Sequence, residues 1–195
     1  MENDFWKLSF FILLLVWLSI RAVFKKNALK TKIKIKRRVI IERVLVSLNL
    51  VSIVFLPLYI VFSTTLDCAS MHLPPAVRFI ALCVYALNLG LFAWCHISLG
   101  GNWSGVLEIK KGHKLIQKGP YKNIRHPMYT HFWLLIISQG LLLDNSIVLI
   151  YGLFAWGILY FIRVSEEEKM MITEFGKEYK EYMKRTGRLL PKFYS

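Results

Sequence analysis

Two short segments of this chain hold the residues whose types and spacing could do chemistry. The first is Arg125-His126-Pro127-Met128-Tyr129. The residue before a proline avoids the α region and proline suits the first helical position, so a helix is predicted to begin at Pro127 with His126 as its cap. The amide groups of its first turn would then offer an anion site. The competing interpretation is structural: His126 only caps the helix, and Tyr129 belongs to an interfacial aromatic belt.

The second segment places Arg163 and Glu167 four residues apart, on one face of a predicted helix. As a plain ion pair they would contribute about 0.2–0.5 kcal/mol to the helix. At the boundary of a membrane, however, ionisable side chains are functional candidates. Glu167 is the middle residue of three consecutive glutamates, 166–168, and which of these point inward is left open.

The composition indicates where these segments must sit. Of the 195 residues, 55% are hydrophobic and 19% are charged, and the formal net charge is +14. The mean hydropathy is +0.45. High apolar content excludes intrinsic disorder and argues against a soluble nucleic-acid-binding protein, whose surface would be mostly polar. The chain is therefore predicted to be an integral membrane protein.

Metal binding and thiol chemistry are not expected. The three cysteines are scattered, and no histidine or cysteine shows the spacing of zinc ligands. No recognisable base lies beside a cysteine in the sequence, so thiol catalysis is not predicted.

The apolar runs predict an all-α fold with five transmembrane helices. The last two form a helical hairpin, because the turn formers Asp144, Asn145 and Ser146 divide a run too long for one span. Pro57 interrupts the second span, which a membrane helix tolerates when neighbours satisfy the freed carbonyl group. The five predicted spans lie at about residues 5–24, 43–64, 76–98, 127–143 and 146–162.

The basic residues fix the predicted orientation. Of the 26 lysines and arginines, 23 fall in three segments: 21–38, 110–125 and the tail from Arg163 onward. Five spans with the N-terminus outside put all three segments in the cytosol, as the positive-inside rule requires. A missed or additional span would destroy this segregation. The C-terminus is therefore predicted to be cytosolic.

The chain divides into two predicted parts. Residues 1–98 would hold three spans and the basic loop 21–38, whereas residues 99–195 would hold the chemistry. In the tail, apolar side chains recur every three or four residues at Met171, Phe175, Tyr179 and Tyr182, which predicts an amphipathic helix on the cytosolic face. Gly176 inside that helix would cost about 1 kcal/mol relative to alanine, so a close-packed neighbour is expected there.

These segments resemble the isoprenylcysteine carboxyl methyltransferases. The resemblance covers roughly residues 99–192 and rests on GHKLIQKGPYKNIRHPMY, a helical hairpin, and RVSEEE followed by EFGKEYKEYMKRTGRLLP. It implies a monomeric membrane enzyme that uses S-adenosylmethionine and acts on a prenylated cysteine, with no nucleic-acid partner. Where family members can place a polar cofactor contact, this sequence has Val106, and Glu108 is a possible substitute.

The resemblance also implies roles for single residues. Arg163 would face the carboxylate of the acceptor and serve catalysis, and Glu167 would contact the cofactor from the fifth helix. The remaining cofactor-binding residues would be His113, Lys114, Leu115, Ile116, Tyr121, His126, Pro127, Met128 and Tyr129.

The residue types suit that chemistry. A C-terminal carboxylate, with a free pKa of about 3.3–3.7, is ionised at neutral pH and needs no general base. Arginine holds a carboxylate through two parallel hydrogen bonds. Three other functions stay open: methylation of a phospholipid amine, nicotinamide-dependent reduction in the membrane, and a non-enzymatic adaptor that binds lipid through its basic face.

Overall fold

A computed structural model describes residues 2–28, 33–36, 40–103, 108–110, 112 and 114–192. Helices dominate the described part of the chain. They are α1 (Glu2–Ala28), α2 (Ile40–Leu50), α3 (Leu56–Phe62), α4 (Pro75–Leu99), α5 (Pro127–Leu142), α6 (Ser146–Phe175) and α7 (Lys177–Arg185). A π-helical turn, Val51–Phe55, joins α2 to α3.

Besides the predicted helices, the structure contains one short antiparallel pair of strands. Strand β1 (Ile33–Lys36) pairs with β2 (Glu108–Lys110) in the register Ile35↔Ile109. The alternation of isoleucine and lysine in β1 has the two-residue period of a strand. The pair ties the basic loop after α1 to the loop after α4.

Four helical segments are long and apolar enough to cross a membrane, counted over the described residues. They are Asn3–Lys26, Glu42–Phe62, Pro75–Asn102 and Ser146–Phe175. The remaining predicted span forms α5, which has 16 residues and is therefore short for a bilayer crossing. It packs against both α4 and α6.

The break at Pro57 is repaired by a neighbouring helix, as predicted. Proline lacks the N–H group that would bond the carbonyl of the preceding turn. The chain widens into the π-helical turn just before this point, and the Ser52 carbonyl accepts a hydrogen bond of 2.9 Å from Gln139 Nε2 of α5. Gln139 and Ser52 are both fully buried, so this bond replaces a contact that water would otherwise have to supply.

The hairpin between α5 and α6 also forms as predicted. Asn145 caps α6, its side-chain oxygen accepting from the Val148 amide at 3.1 Å. Asp144 stands in the left-handed region with φ of 52°. Its carboxylate accepts from the Ser70 hydroxyl at 2.6 Å and from the Leu73 amide at 3.0 Å. These bonds fix the hairpin tip to the segment that connects α3 to α4.

The predicted amphipathic tail helix is interrupted. Helix α6 continues to Phe175, Gly176 adopts φ of +53°, and α7 starts at Lys177. A Cβ atom at Gly176 would meet nothing within 4 Å, so the prediction of a close-packed neighbour at this glycine is wrong. Glycine is needed because a side chain is strained at this backbone angle. The break turns Tyr179 and Tyr182 of α7 into the protein, where both are buried.

Candidate active site

A cavity of about 280 Å³ opens where the motif loops meet the helices. Its wall has a charged and aromatic part contributed by the segment 114–129, by the later turns of α6 and by α7. The apolar part comes from α1, α2, the π-helical turn, α5 and the middle of α6. The residues of the charged part include Lys114, Tyr121, Arg125, His126, Tyr129, Arg163, Glu167, Tyr179 and Tyr182. The apolar part includes Trp17, Val46, Leu50, Ile53, Phe132, Trp156 and Leu159.

The His-Pro turn forms one side of the charged part. Pro127 is the first residue of α5, and the Tyr129 amide donates to the His126 carbonyl at 2.9 Å. The rings of His126 and Tyr129 stack, with centroids 5.2 Å apart and planes 15° apart. Both side chains are buried, so the turn presents a fixed aromatic surface to the cavity.

Glu167 reaches this surface from α6. The Tyr129 hydroxyl donates a hydrogen bond to Glu167 Oε2, and His126 Nδ1 lies 3.8 Å from Glu167 Oε1. The Glu167 side chain remains 35% exposed, so its carboxylate keeps room for a further donor. The sequence prediction that His126, Tyr129 and Glu167 converge is consistent with this geometry.

Of the three consecutive glutamates 166–168, Glu168 is the buried one. The sequence did not predict its ion pairs. Its carboxylate pairs with Arg188 Nη2 at 2.5 Å, Arg125 Nε at 3.2 Å and His126 Nε2 at 3.3 Å. Only 7% of the side chain is exposed. The hydrogen bond from Arg188 raises the pKa of that guanidinium above its usual value, because the ion pair favours the charged form.

The C-terminal segment 186–192, here called the strap, lies across the His-Pro turn. The Arg125 amide donates to the Gly187 carbonyl at 2.8 Å, and the His126 amide donates to the Arg188 carbonyl at 3.0 Å. Gly187 must be glycine, since a Cβ atom there would lie 1.8 Å from the Leu190 carbonyl oxygen. The strap and Glu168 together hold the turn from two directions.

Arg163 lines the cavity from α6, as predicted, but it has an additional partner from the other half of the chain. Arg163 Nη1 lies 3.7 Å from Glu42 Oε1 of α2, and the two side chains are 13% and 11% exposed. The sequence offered only Glu167 as its partner. Nothing in the local spacing around Glu42 marks it, because the pairing depends on α2 packing against α6.

Two tyrosines close the cavity beside α7. The Tyr182 hydroxyl donates to the Tyr121 carbonyl at 2.6 Å, which fixes the Gly-Pro-Tyr turn to α7. Burial raises the pKa of Tyr182 to about 12 and that of Tyr121 well above 10. Both phenols therefore stay neutral at physiological pH and act as hydrogen-bond groups or aromatic surfaces.

Most predicted site residues share this cavity. Those that line it are Lys114, Leu115, Ile116, Tyr121, His126, Met128, Tyr129, Arg163 and Glu167. Pro127 is buried at the start of α5 and does not belong to the described cavity wall. His113 and Val106 lie outside the described residues, as does the side chain of Glu108.

Several wall residues were not predicted. Trp17 and Arg21 come from α1, Asn49 from α2 and Trp103 from the loop after α4. They belong to apolar or basic runs whose pattern signals a membrane span or a charged loop, so no local motif distinguishes them. Their position depends on helix packing.

Fold and cavity together define a multi-pass helical membrane protein with a binding site that is charged at one end and apolar at the other. Residues 79–173 match the sequence model of the isoprenylcysteine carboxyl methyltransferase family. Over this segment, which runs from α4 into α6 and makes up just under half of the chain, the sequence is similar to that family.

Curated relatives and a solved structure agree. The protein-S-isoprenylcysteine O-methyltransferase of Tribolium castaneum is 29% identical over 115 residues, covering 57% of this chain and 41% of that protein. The enzyme of the same name from Schizosaccharomyces pombe is 26% identical over 125 residues, covering 63% and 50%. The chain thus spans about half the length of these relatives or less.

The solved structure is that of the eukaryotic intramembrane Ras methyltransferase, isoprenylcysteine carboxyl methyltransferase. It superposes with a TM-score of 0.55 at 26% identity, covering 76% of this chain and 51% of that one. The shared fold therefore extends beyond the segment that matches the family model.

Proposed function

We propose that this protein transfers a methyl group from S-adenosylmethionine to the C-terminal carboxylate of a prenylated cysteine at the membrane. The match of residues 79–173 to that family's model supports methyl transfer. The observation that carries the choice of acceptor is that the same cavity joins ionic groups, Arg163 and Glu167, to apolar side chains of α1, α2 and α6. A prenylated cysteine likewise has a charged end, its carboxylate, and an apolar end, its prenyl chain.

The wall residues fit the proposed cofactor. S-adenosylmethionine carries an ammonium, a carboxylate, ribose hydroxyls, an adenine ring and a sulfonium. The partly exposed Glu167 carboxylate suits the ammonium or the hydroxyls, and the exposed Lys114 suits the carboxylate. Leu115, Ile116 and Met128 are apolar surfaces for adenine, while the faces of Tyr121 and Tyr129 attract a cation.

The reaction needs position more than proton transfer. The bound cofactor would supply an electrophilic methyl group: a carboxylate oxygen forms the new C–O bond as the methyl–sulfur bond breaks, and the electron pair stays on sulfur. No proton is released, so the neutral tyrosines need not act as bases. Arg163, held by Glu42, would orient the carboxylate, and the packed aromatic wall would exclude water.

We further propose that α5 completes five membrane crossings, with the N-terminus outside and the C-terminus cytosolic. Sixteen helical residues span only about 24 Å, less than a bilayer core of ~30 Å, but α5 is enclosed by α4 and α6 and ends at the hairpin tip. This topology puts 23 of 26 basic residues on one side.

In this orientation the cofactor would enter from the cytosol, whereas the acceptor would reach the apolar wall from the bilayer. A prenyl chain gains about 0.8 kcal/mol per buried CH₂ and so favours the lipid. The apolar wall between α2 and α6 includes Val46, Ile53 and Trp156. Helices α2 and α6 are joined there by a 3.1 Å hydrogen bond from Asn49 Nδ2 to the Ala155 carbonyl. The amphipathic α7 would lie at the cytosolic surface.

Calorimetry on the purified protein tests the proposed cofactor. Wild type should bind S-adenosylmethionine and S-adenosylhomocysteine but not a nicotinamide dinucleotide. His126→Ala and Glu167→Ala should each weaken binding at least tenfold, since hydrogen bonds to charged groups contribute about 1.5–3 kcal/mol. Affinity for the dinucleotide alone would support the reductase instead, and affinity for neither would favour the adaptor.

A further inference from the structure

The ionic groups on the cavity wall are not balanced. Among the described residues, four cations line it, namely Arg21, Lys114, Arg125 and Arg163, against the single carboxylate of Glu167. Arg125 shares the Glu168 carboxylate, 3.2 Å away, with Arg188, and Arg163 lies 3.7 Å from Glu42. Among the described side chains, Lys114 and Arg21 are the wall cations that have no carboxylate within ion-pair distance. An uncompensated cation at a partly buried site favours an anionic ligand.

Arg21 differs from Lys114 in its surroundings. Lys114 is exposed on the loop, whereas Arg21 is half-buried in α1. The Arg21 guanidinium lies over the Trp17 ring, 5.3 Å from its centroid, and Trp17 is itself 2% exposed. Among the side chains that the structure describes, no carboxylate lies within ion-pair distance of Arg21.

The Trp17 contact keeps this guanidinium preorganised. Trp17 Nε1 donates to His131 Nε2 of α5 at 3.1 Å, and the Trp17 ring stacks on Phe92 of α4 with centroids 5.7 Å apart. A guanidinium that rests on a fixed ring loses little freedom when it binds a ligand. Arg21 and Arg163 repel each other across the cavity, and a carboxylate between them would remove that repulsion.

We propose that Arg21 binds the carboxylate of the methyl acceptor from α1, opposite Arg163. This proposal rests on the function proposed above and names the residue that makes the site select a carboxylate. Arg163 is compensated by Glu42, so it orients the group but adds little net charge. Arg21 supplies the charge that distinguishes a carboxylate from an uncharged head group of the same shape. The exposed Lys114 is left for the carboxylate of the cofactor.

The test compares N-acetyl-S-farnesylcysteine with its carboxamide, which has nearly the same shape but no charge and carries an NH₂ donor in place of one acceptor oxygen. Binding of each is measured to wild type, Arg21→Gln and Arg21→Lys with S-adenosylhomocysteine present. Arg43→Gln is the matched control, because Arg43 is an exposed arginine of α2 that does not line the described cavity. Wild type and the control should prefer the carboxylate at least tenfold.

Arg21→Gln should bind both ligands about equally, while its affinity for S-adenosylhomocysteine stays within twofold of wild type. Arg21→Lys should keep part of the preference, because it keeps the charge but not the planar fork. If Arg21→Gln does not fold, an unchanged preference in Arg21→Lys overturns the assignment and a loss of threefold or more supports it. A wild type without preference contradicts both the acceptor and Arg21; a preference that survives in Arg21→Gln contradicts Arg21 alone.

Discussion

Arg163 of α6 and Glu42 of α2 form an ion pair of 3.7 Å between Nη1 and Oε1, in a position where both side chains are nearly buried. The pair joins the span that follows the basic loop to the helix that carries the glutamate motif. It also means that the arginine proposed to orient the acceptor is held by a residue from the other half of the chain.

Glu42→Gln should therefore destabilise the protein. Removing one partner of a buried ion pair typically costs about 3–5 kcal/mol, because the other charge is left uncompensated. The exposed pair of Lys184 and Glu181, whose side chains are 72% and 66% exposed, should contribute only about 0–1 kcal/mol. Thermal unfolding in detergent should show a clear drop in Tm for Glu42→Gln and almost none for Glu181→Gln. Equal shifts would mean that the Glu42 pair is no stronger than a surface contact.

Tyr129→Phe should separate the contribution of the hydroxyl group to cofactor binding from that of the ring. The hydroxyl donates to Glu167, and the ring stacks on His126. Without the hydroxyl, Glu167 loses the bond that positions it for the cofactor, and calorimetry should show affinity for S-adenosylhomocysteine reduced about tenfold. Tyr151→Phe is the control, because among the described residues that hydroxyl makes only an exposed 3.4 Å contact with the Leu48 carbonyl. Full affinity in Tyr129→Phe would show that the ring alone is sufficient.

Glu168→Gln should loosen the strap. The carboxylate joins Arg188 of the strap to Arg125 and His126 of the turn, so its loss leaves two guanidinium groups without their anion. Hydrogen exchange should become faster at the amides of Arg125 and His126, which donate to strap carbonyls. Glu166→Gln, which affects the exposed Lys169, serves as the control. If these two amides exchange as slowly in Glu168→Gln as in wild type, Glu168 does not hold the strap against the turn.

The parts of the fold that local signals specify were predictable from the sequence. Apolar runs predicted the long helices, Pro127 the start of α5, and Asn145 the cap of α6. The start and length of α5 were also predictable, since it ends at Leu142, one residue before the predicted end of its span. The prediction for Gly176 was wrong because glycine has the same unfavourable helix propensity whether it packs closely against a neighbour or ends a helix.

The site was predictable only where it lies in contiguous motifs. His126, Tyr129 and Glu167 stood out because a proline turn and a glutamate run surround them. Glu42, Arg21 and the partners of Glu168 come from segments that are distant in sequence and meet through helix packing. A basic residue such as Arg21 looks topogenic in the sequence, and only its missing carboxylate partner among the described side chains distinguishes it.

The proposed topology predicts which thiols react from which side. Cys68 is exposed in the segment between α3 and α4, on the side proposed to be outside. Lys184 is exposed on α7, on the side proposed to be cytosolic. In sealed cells, a membrane-impermeant maleimide should label Cys68 in a Cys83→Ser background. Lys184→Cys, in a background that carries both Cys68→Ser and Cys83→Ser, should be labelled only after permeabilisation. Labelling of both without permeabilisation would exclude the five-span arrangement.

The central claim is methyl transfer to a prenylcysteine carboxylate, and the most direct measurement is the product formed from labelled methyl donor. Purified protein in lipid receives methyl-labelled S-adenosylmethionine with N-acetyl-S-farnesylcysteine, its carboxamide, or phosphatidylethanolamine. We predict label in a base-labile methyl ester of the first compound, and none in the other two above the level of a protein-free control. Label in the phospholipid amine, or no transfer to the carboxylate while S-adenosylmethionine is bound, would contradict the account.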